Sequence, residues 1–85
     1  MIKMKTVLYS SLTVGCLACI IEDNWKKVNY AARPYLDAMK SLGAVEDSYY
    51  LDSGRSIVAY FLSNASTWKG ECAKAIKAEL KRRIK

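Results

Sequence analysis

The feature that most constrains this chain is the periodicity of residues 68–85. An apolar side chain recurs there at every fourth position, at Trp68, Cys72, Ile76, Leu80 and Ile84. That spacing keeps side chains near one face of an α-helix. The segment therefore predicts a C-terminal amphipathic helix whose apolar side packs on a core.

The same segment carries nearly all of the net charge. It holds seven Lys/Arg against two Glu, so it supplies +5 of the chain's +6. On a helical wheel the basic residues lie opposite or beside the apolar line, which is typical both of a solvated face and of a surface for an anionic partner. Under the second interpretation the partner-binding residues are Lys74, Lys77, Lys81, Arg82, Arg83 and Lys85.

Three further helices are indicated upstream, beginning with one over about residues 11–27. Residues 1–10 are ambiguous between a frayed end and a short strand. Pro34 fits the first turn of a second helix, where its missing N–H costs nothing, and Gly43 fits the residue just past its end. Asp52 or Ser53 is the expected N-cap of a third helix.

The third helix should end at the polar stretch 63–67, whose short side chains compete for backbone groups. Ser66 or Thr67 is then the expected N-cap of the final helix. Residues 53–56 also resemble a phosphate-binding turn, but they lack its glycines and lysine, and capping is the favoured interpretation.

These elements predict an all-α fold, a small bundle of three to four short helices. Eighty-five residues with 52% hydrophobic content form one domain, residues 1–85, because the chain is too short for two cores. A single Pro and four Gly agree with a helical chain. The expected core is Leu12, Cys16, Leu36, Met39, Ile57, Phe61, Leu62, Trp68, Ile76 and Leu80.

The absence of histidine removes the commonest general base and metal ligand. Three cysteines are too few for a four-ligand structural zinc site. Cys16 and Cys19, at positions i and i+3, are expected to share one face and pack as small hydrophobic groups, with pairing across a homodimer as an alternative. No catalytic, cofactor-binding or metal-binding residue is predicted, and the chain is expected not to be an enzyme.

The first 21 residues support two interpretations. Lys3 and Lys5 precede an uncharged stretch over residues 6–21, which is the outline of an export signal. The stretch is short of the roughly 20 apolar residues that span a membrane. A buried helix or strand of a cytoplasmic protein is favoured, because removing this segment would leave a marginal core.

A pair of tyrosines marks a second candidate contact surface. Tyr49 and Tyr50 follow Glu46 and Asp47 in a predicted loop over residues 43–50. Tyrosine is enriched at protein interfaces because it combines a large contact area with a polar tip. We therefore add Tyr49 and Tyr50 to the predicted partner-binding residues.

Three stretches carry a resemblance: PYLDAM at 34–39, SIVAYFLSNA at 56–65 and WKGE at 68–71. Together they resemble a group of small uncharacterised proteins encoded by bacteriophages and integrated elements of bacteria, over about residues 22–85. The group has no assigned activity, so the resemblance implies a context rather than a site. In that context small proteins act by binding a host or phage macromolecule, for example as inhibitors of CRISPR nucleases.

Three functional hypotheses follow. The first is a non-enzymatic, phage-type accessory protein in the bacterial cytoplasm that binds a host or phage protein or nucleoprotein, as an inhibitor of a host defence enzyme. The second is a nucleic-acid-binding protein that contacts phosphates without reading bases. The third, an exported or membrane-associated protein, requires residues 1–21 to be a signal. No cofactor is expected, a membrane partner is disfavoured, and a homodimer stays open.

Overall fold

A computed structural model of the chain describes residues 9–85. Within this range the chain is mostly helical, with four α-helices and one two-stranded sheet. A short 3₁₀ helix, Tyr9–Ser11, precedes helix α1, Val14–Asn24; α2 is Arg33–Met39, α3 is Gly54–Ser63 and α4 is Glu71–Ile84. Strands β1, Ser48–Tyr49, and β2, Asp52–Ser53, pair antiparallel between α2 and α3. The predicted small helical fold is confirmed at this level. The hairpin is an addition to the predicted fold, because the sequence indicated only a polar loop there.

Helix α1 begins three residues later than predicted because Thr13 caps it. The Thr13 hydroxyl oxygen accepts a hydrogen bond from the Cys16 amide at 3.0 Å. The fully buried apolar side chains of α1 are Val14, Leu17, Ala18 and Ile21. Residues 14–21 are therefore a core helix in this fold, and cleavage near Cys16 would remove part of the core. Residues 1–8, including most of the ambiguous N-terminal segment, lie outside the described residues.

Cys16 and Cys19 share one face of α1 as predicted, but the prediction that they pack as small hydrophobic groups is wrong. Cys16 and Cys19 are both exposed, on the side of the helix away from the buried stripe. Leu12 and Leu62 are only partly buried, whereas the other seven predicted core residues are buried. The error arises because almost every residue of this segment is apolar, so two different stripes have helical spacing.

Helix α2 confirms the placement of Pro34 in a first turn. It ends at Met39, however, and Gly43 is not in the left-handed conformation expected of a helix stop. Gly43 instead donates its amide hydrogen to the Asp47 carboxylate at 2.9 Å, within a turn that leads to the hairpin.

Helix α3 begins where Ser53 caps it. The Ser53 hydroxyl oxygen accepts a hydrogen bond from the Ser56 amide at 3.1 Å, which decides between the two expected caps. Gly54 is buried against the preceding loop, and a Cβ there would lie 2.7 Å from the Val45 carbonyl oxygen. The third helix therefore packs tightly on the turn that precedes it.

The last helix also begins later than predicted. Neither Ser66 nor Thr67 caps it; its N-cap is Gly70, with φ 118° and no side-chain hydrogen bond. Trp68 thus lies in the connecting loop, although its side chain is only 3% exposed. The four-residue recurrence therefore predicted correctly that the Trp68 side chain is buried, but it wrongly placed Trp68 within the helix.

An aromatic cluster joins three parts of the core. The rings of Trp25 and Trp68 stack with centroids 5.9 Å apart and an interplanar angle of 17°. Phe61 meets Trp25 edge-on at 6.2 Å. Offset stacked and edge-to-face pairs contribute about 0.5–1.5 kcal/mol each beyond area burial. This cluster holds the loop before α4 against α1 and α3, and so positions the surface described next.

Candidate anion-binding groove on α4

The lysines of α4 and of the loop before it line an open groove of about 710 Å³. We call it the lysine groove. Trp68 and Gly70 line it together with one side of α4, and its charged residues are Lys69, Lys74, Lys77, Lys81 and Glu71. The sequence placed three of these lysines on one face. Lys69 was missed because it precedes the helix.

Lys77 differs from the other groove lysines because it is partly buried. Its ammonium donates a hydrogen bond to the Trp68 carbonyl oxygen at 2.6 Å and lies 5.9 Å from the centroid of the Trp68 ring. Partial burial lowers the pKa of Lys77 from its ordinary value, and the nearby charges of Lys69 and Lys81 lower it further. An anionic group in the groove would relieve that repulsion.

The other groove lysines are unpaired. Among residues 9–85, no ion pair involves Lys69, Lys74 or Lys81, and all three are exposed. Lys85 is also exposed and unpaired within that range, at the C-terminal end of α4. These ammonium groups are free to meet a partner's charge.

The two arginines of α4 are engaged within the molecule. Glu79 accepts two hydrogen bonds from Arg82, at 3.1 and 2.6 Å, and one from Arg83 at 2.6 Å. Glu79 and Arg83 form an ion pair at i,i+4 spacing, one helical turn apart. The hydrogen bonds from Arg82 lower the pKa of the Glu79 carboxyl most strongly, and the hydrogen bond from Arg83 lowers it further.

Arg83 also ties the two ends of the described chain together. Its guanidinium donates to the Tyr9 carbonyl oxygen at 2.8 Å, and its side chain is 14% exposed. The Arg83 carbonyl in turn accepts a hydrogen bond from Arg55 at 3.2 Å. Arg83 therefore has a clear structural role, whereas Arg82, at 61% exposure, keeps a solvent-facing edge.

The predicted tyrosine pair lies on the hairpin rather than in the groove. The rings of Tyr49 and Tyr50 meet edge to face at 4.7 Å; Tyr49 is half-buried and Tyr50 is exposed. Tyr50 has φ 57°, a left-handed conformation that is uncommon for a bulky residue. Leu51 beside it is fully exposed and was not predicted. The hairpin adjoins the start of α3, so it is a separate surface from the lysine groove.

The groove suits electrostatic binding. Within residues 9–85, no group of three or more His, Cys, Asp or Glu residues is arranged to hold a metal ion. Lysines offer point charges and rotatable donors, which suit phosphates and carboxylates without fixing one geometry. The arrangement can therefore hold an anionic surface and gives little basis for reading a nucleotide sequence.

No helix in the described part of the chain is long and apolar enough to cross a membrane. No protein-family model matches the sequence, and no curated protein or solved structure matches it.

Proposed function

We propose that this chain is a non-enzymatic, phage-type accessory protein that binds an anionic surface of a host or phage macromolecule through the lysine groove. Its target in this proposal is a nucleic-acid-handling host defence enzyme in the bacterial cytoplasm, which it inhibits by occupying an acidic or nucleic-acid-binding surface. The observation that carries the proposal is the set of exposed, unpaired lysines around a hydrogen-bonded, partly buried Lys77.

The base of the groove is packed into the core, which supports binding. Trp68 stacks on Trp25, and the first turns of α4 bury Ala73 and Ile76, so the lysine stems extend from a well-packed base. A surface that is ordered before binding loses less entropy when the complex forms. Complementary charge would also accelerate the encounter with an acidic partner.

A second candidate function, sequence-nonspecific binding of nucleic acid, is favoured by the spacing of the lysines. Lys74 and Lys81 are seven residues apart on α4, which corresponds to about 10.5 Å along the helix axis. That length matches about three steps of a nucleic acid strand at roughly 3.4 Å per nucleotide. Lys77 lies between them, so three lysines could each neutralise a phosphate.

A charge-reversal pair tests the groove in both cases. We expect Lys74→Glu/Lys81→Glu to abolish capture of the target from host lysate. The matched control is Lys26→Glu/Lys27→Glu, which makes the same charge change at exposed lysines outside the groove and should leave capture intact. Equal loss in both variants, or in neither, would show that the groove is not the binding surface.

Nuclease treatment and a gel-shift titration separate the two candidates. Capture that survives nuclease supports a protein target. Direct binding of random duplex DNA supports the second candidate. Three phosphate contacts predict that affinity falls roughly 40-fold between 50 and 200 mM salt, from a logarithmic slope of about −0.9 per contact. A parent protein that does not retard DNA at low salt excludes the second candidate.

A further inference from the structure

Two free cysteines project from the exposed face of α1, away from the lysine groove. Cys16 and Cys19 are both exposed, although free cysteine is among the most buried residue types in proteins. They occupy one side of the helix because Val14, Leu17, Ala18 and Ile21 occupy the buried side. Packing therefore does not explain them, and their chemistry can be considered.

Their spacing suits chelation better than a disulfide. Side chains three residues apart on a helix have Cβ atoms about 5–6 Å apart on one face. A disulfide requires Cβ atoms about 3.5–4.5 Å apart, so the helix would have to distort. Two thiolates on one metal ion, at metal–sulfur distances near 2.3 Å, are up to about 4.6 Å apart. The two side chains can reach that separation without movement of the backbone.

The helix turn that carries Cys16 is firmly anchored. The Val14 amide donates to the Gly43 carbonyl at 3.0 Å and the Gly15 amide donates to the Leu42 carbonyl at 2.8 Å. A shallow cleft of about 400 Å³ runs between this turn and residues 40–43, and both Cys16 and Cys19 line it. Two ligands on a rigid element beside open space form a pre-organised, accessible site.

The number and softness of the ligands select the metal. Only two soft donors lie here, and the described residues offer no third His, Cys, Asp or Glu in a metal-binding cluster. A structural zinc site would need four ligands. Thiolates favour soft ions such as Cu(I), which is stable with as few as two ligands. We propose that Cys16 and Cys19 form a two-thiolate binding site for Cu(I), with both thiols releasing their protons as the two Cu–S bonds form.

The test is a competition titration of reduced protein with Cu(I) under argon, with bicinchoninate as the competing chelator. We expect one Cu(I) per chain and a new near-ultraviolet thiolate-to-Cu(I) absorption band. Cys16→Ser and Cys19→Ser should each weaken binding by at least about 100-fold, because each leaves a single ligand where two acted together. Cys72→Ser is the matched control, since Cys72 is partly buried beside Tyr9 and should bind as the parent does.

Failure to compete with bicinchoninate would overturn the proposal, as would parent-like binding by both α1 variants. Equal weakening by Cys72→Ser would also overturn it, because the site would then not be on α1. A trivalent phenylarsenical, which bridges two nearby thiols, provides an independent measurement by intact mass. One adduct should form on the parent and on Cys72→Ser; its absence from the parent would contradict the inferred proximity.

Discussion

Replacing Gly15 by alanine should destabilise the protein, although alanine is the better helix former. A Cβ at Gly15 would lie 2.6 Å from the Lys40 carbonyl oxygen and 3.1 Å from the Leu42 carbonyl oxygen. Both obstacles are backbone atoms, so no side chain can rotate away. To reach an ordinary contact of 3.4 Å from the first oxygen, the helix turn must move by about 0.8 Å.

That movement would break the anchors of α1. It would lengthen the 2.8 Å bond from the Gly15 amide to the Leu42 carbonyl to about 3.6 Å, beyond hydrogen-bonding distance. The bond from Val14 to Gly43 would lengthen similarly. The loss of these two backbone bonds, at up to about 1.5 kcal/mol each, costs about 3 kcal/mol together. The higher helix propensity of alanine relative to glycine offsets about 1 kcal/mol of this cost.

The expected net loss is therefore about 2 kcal/mol in the free energy of unfolding. For a domain of this size that corresponds to a fall of roughly 8–16 °C in Tm. Urea denaturation and a thermal melt, both followed by circular dichroism, would measure it. The control is Cys19→Ala, a change at an exposed position of the same helix that should alter stability by less than about 0.5 kcal/mol. A Gly15→Ala protein as stable as the parent, or more stable, would refute the packing described for α1.

Three further changes test other parts of the structure. Phe61→Ala should cost about 3–5 kcal/mol in urea denaturation, because it empties the centre of the core; a cost below 1 kcal/mol would contradict its burial. Gly70→Ala should cost about 1–3 kcal/mol from backbone strain alone, since φ is 118° and nothing lies within 4 Å of the added Cβ; a neutral result in the same assay would contradict that conformation. Because the pKa of Glu79 is lowered below its ordinary 4.5, its contribution to stability is present above pH 4.5 and is lost as pH falls through the lower value. Glu79→Gln should therefore lower stability at pH 7 and flatten the fall of stability below pH 4.5, and an unchanged acid slope would show that this carboxylate is not the group responsible.

The sequence was most informative where local chemistry is decisive. Pro34 marks the start of α2 because it cannot sit inside a helix, and Ser53 marks the start of α3 because its hydroxyl satisfies an otherwise free amide. The four-residue recurrence likewise identified Ile76 and Leu80 as core residues. Each of these predictions depends only on residues that are close together in the sequence.

Features that depend on contacts with distant parts of the chain could not be predicted from the sequence. In α1, the stripe through Cys16 and Cys19 and the stripe through Leu17 and Ile21 both have helical spacing. Only the position of the loop over residues 40–43 and of the rest of the core selects between them. The start of α4 was predicted too early for a related reason. Trp68 points into the core from a loop, and periodicity alone cannot distinguish a buried loop residue from a buried helical one.

The groove was predictable in its charge and not in its shape. The lysines of α4 were evident from their spacing, whereas the contribution of Lys69 depends on the turn at Gly70. Arg82 and Arg83 also have different roles, and the sequence gives no sign of this difference. Both contact Glu79, but only Arg83 reaches across the fold to the carbonyl of Tyr9.

The stacked tryptophans have a practical consequence for spectroscopy. Trp25 and Trp68 are the chain's only tryptophans, so all of its indole emission arises from one pair of rings 5.9 Å apart. One ring contacts the core phenylalanine, and the other lies under the Lys77 ammonium. Fluorescence from the unmodified protein would therefore respond both to unfolding and to any ligand that displaces Lys77. The two responses can be separated, since unfolding would also abolish the exciton coupling of the stacked rings in circular dichroism.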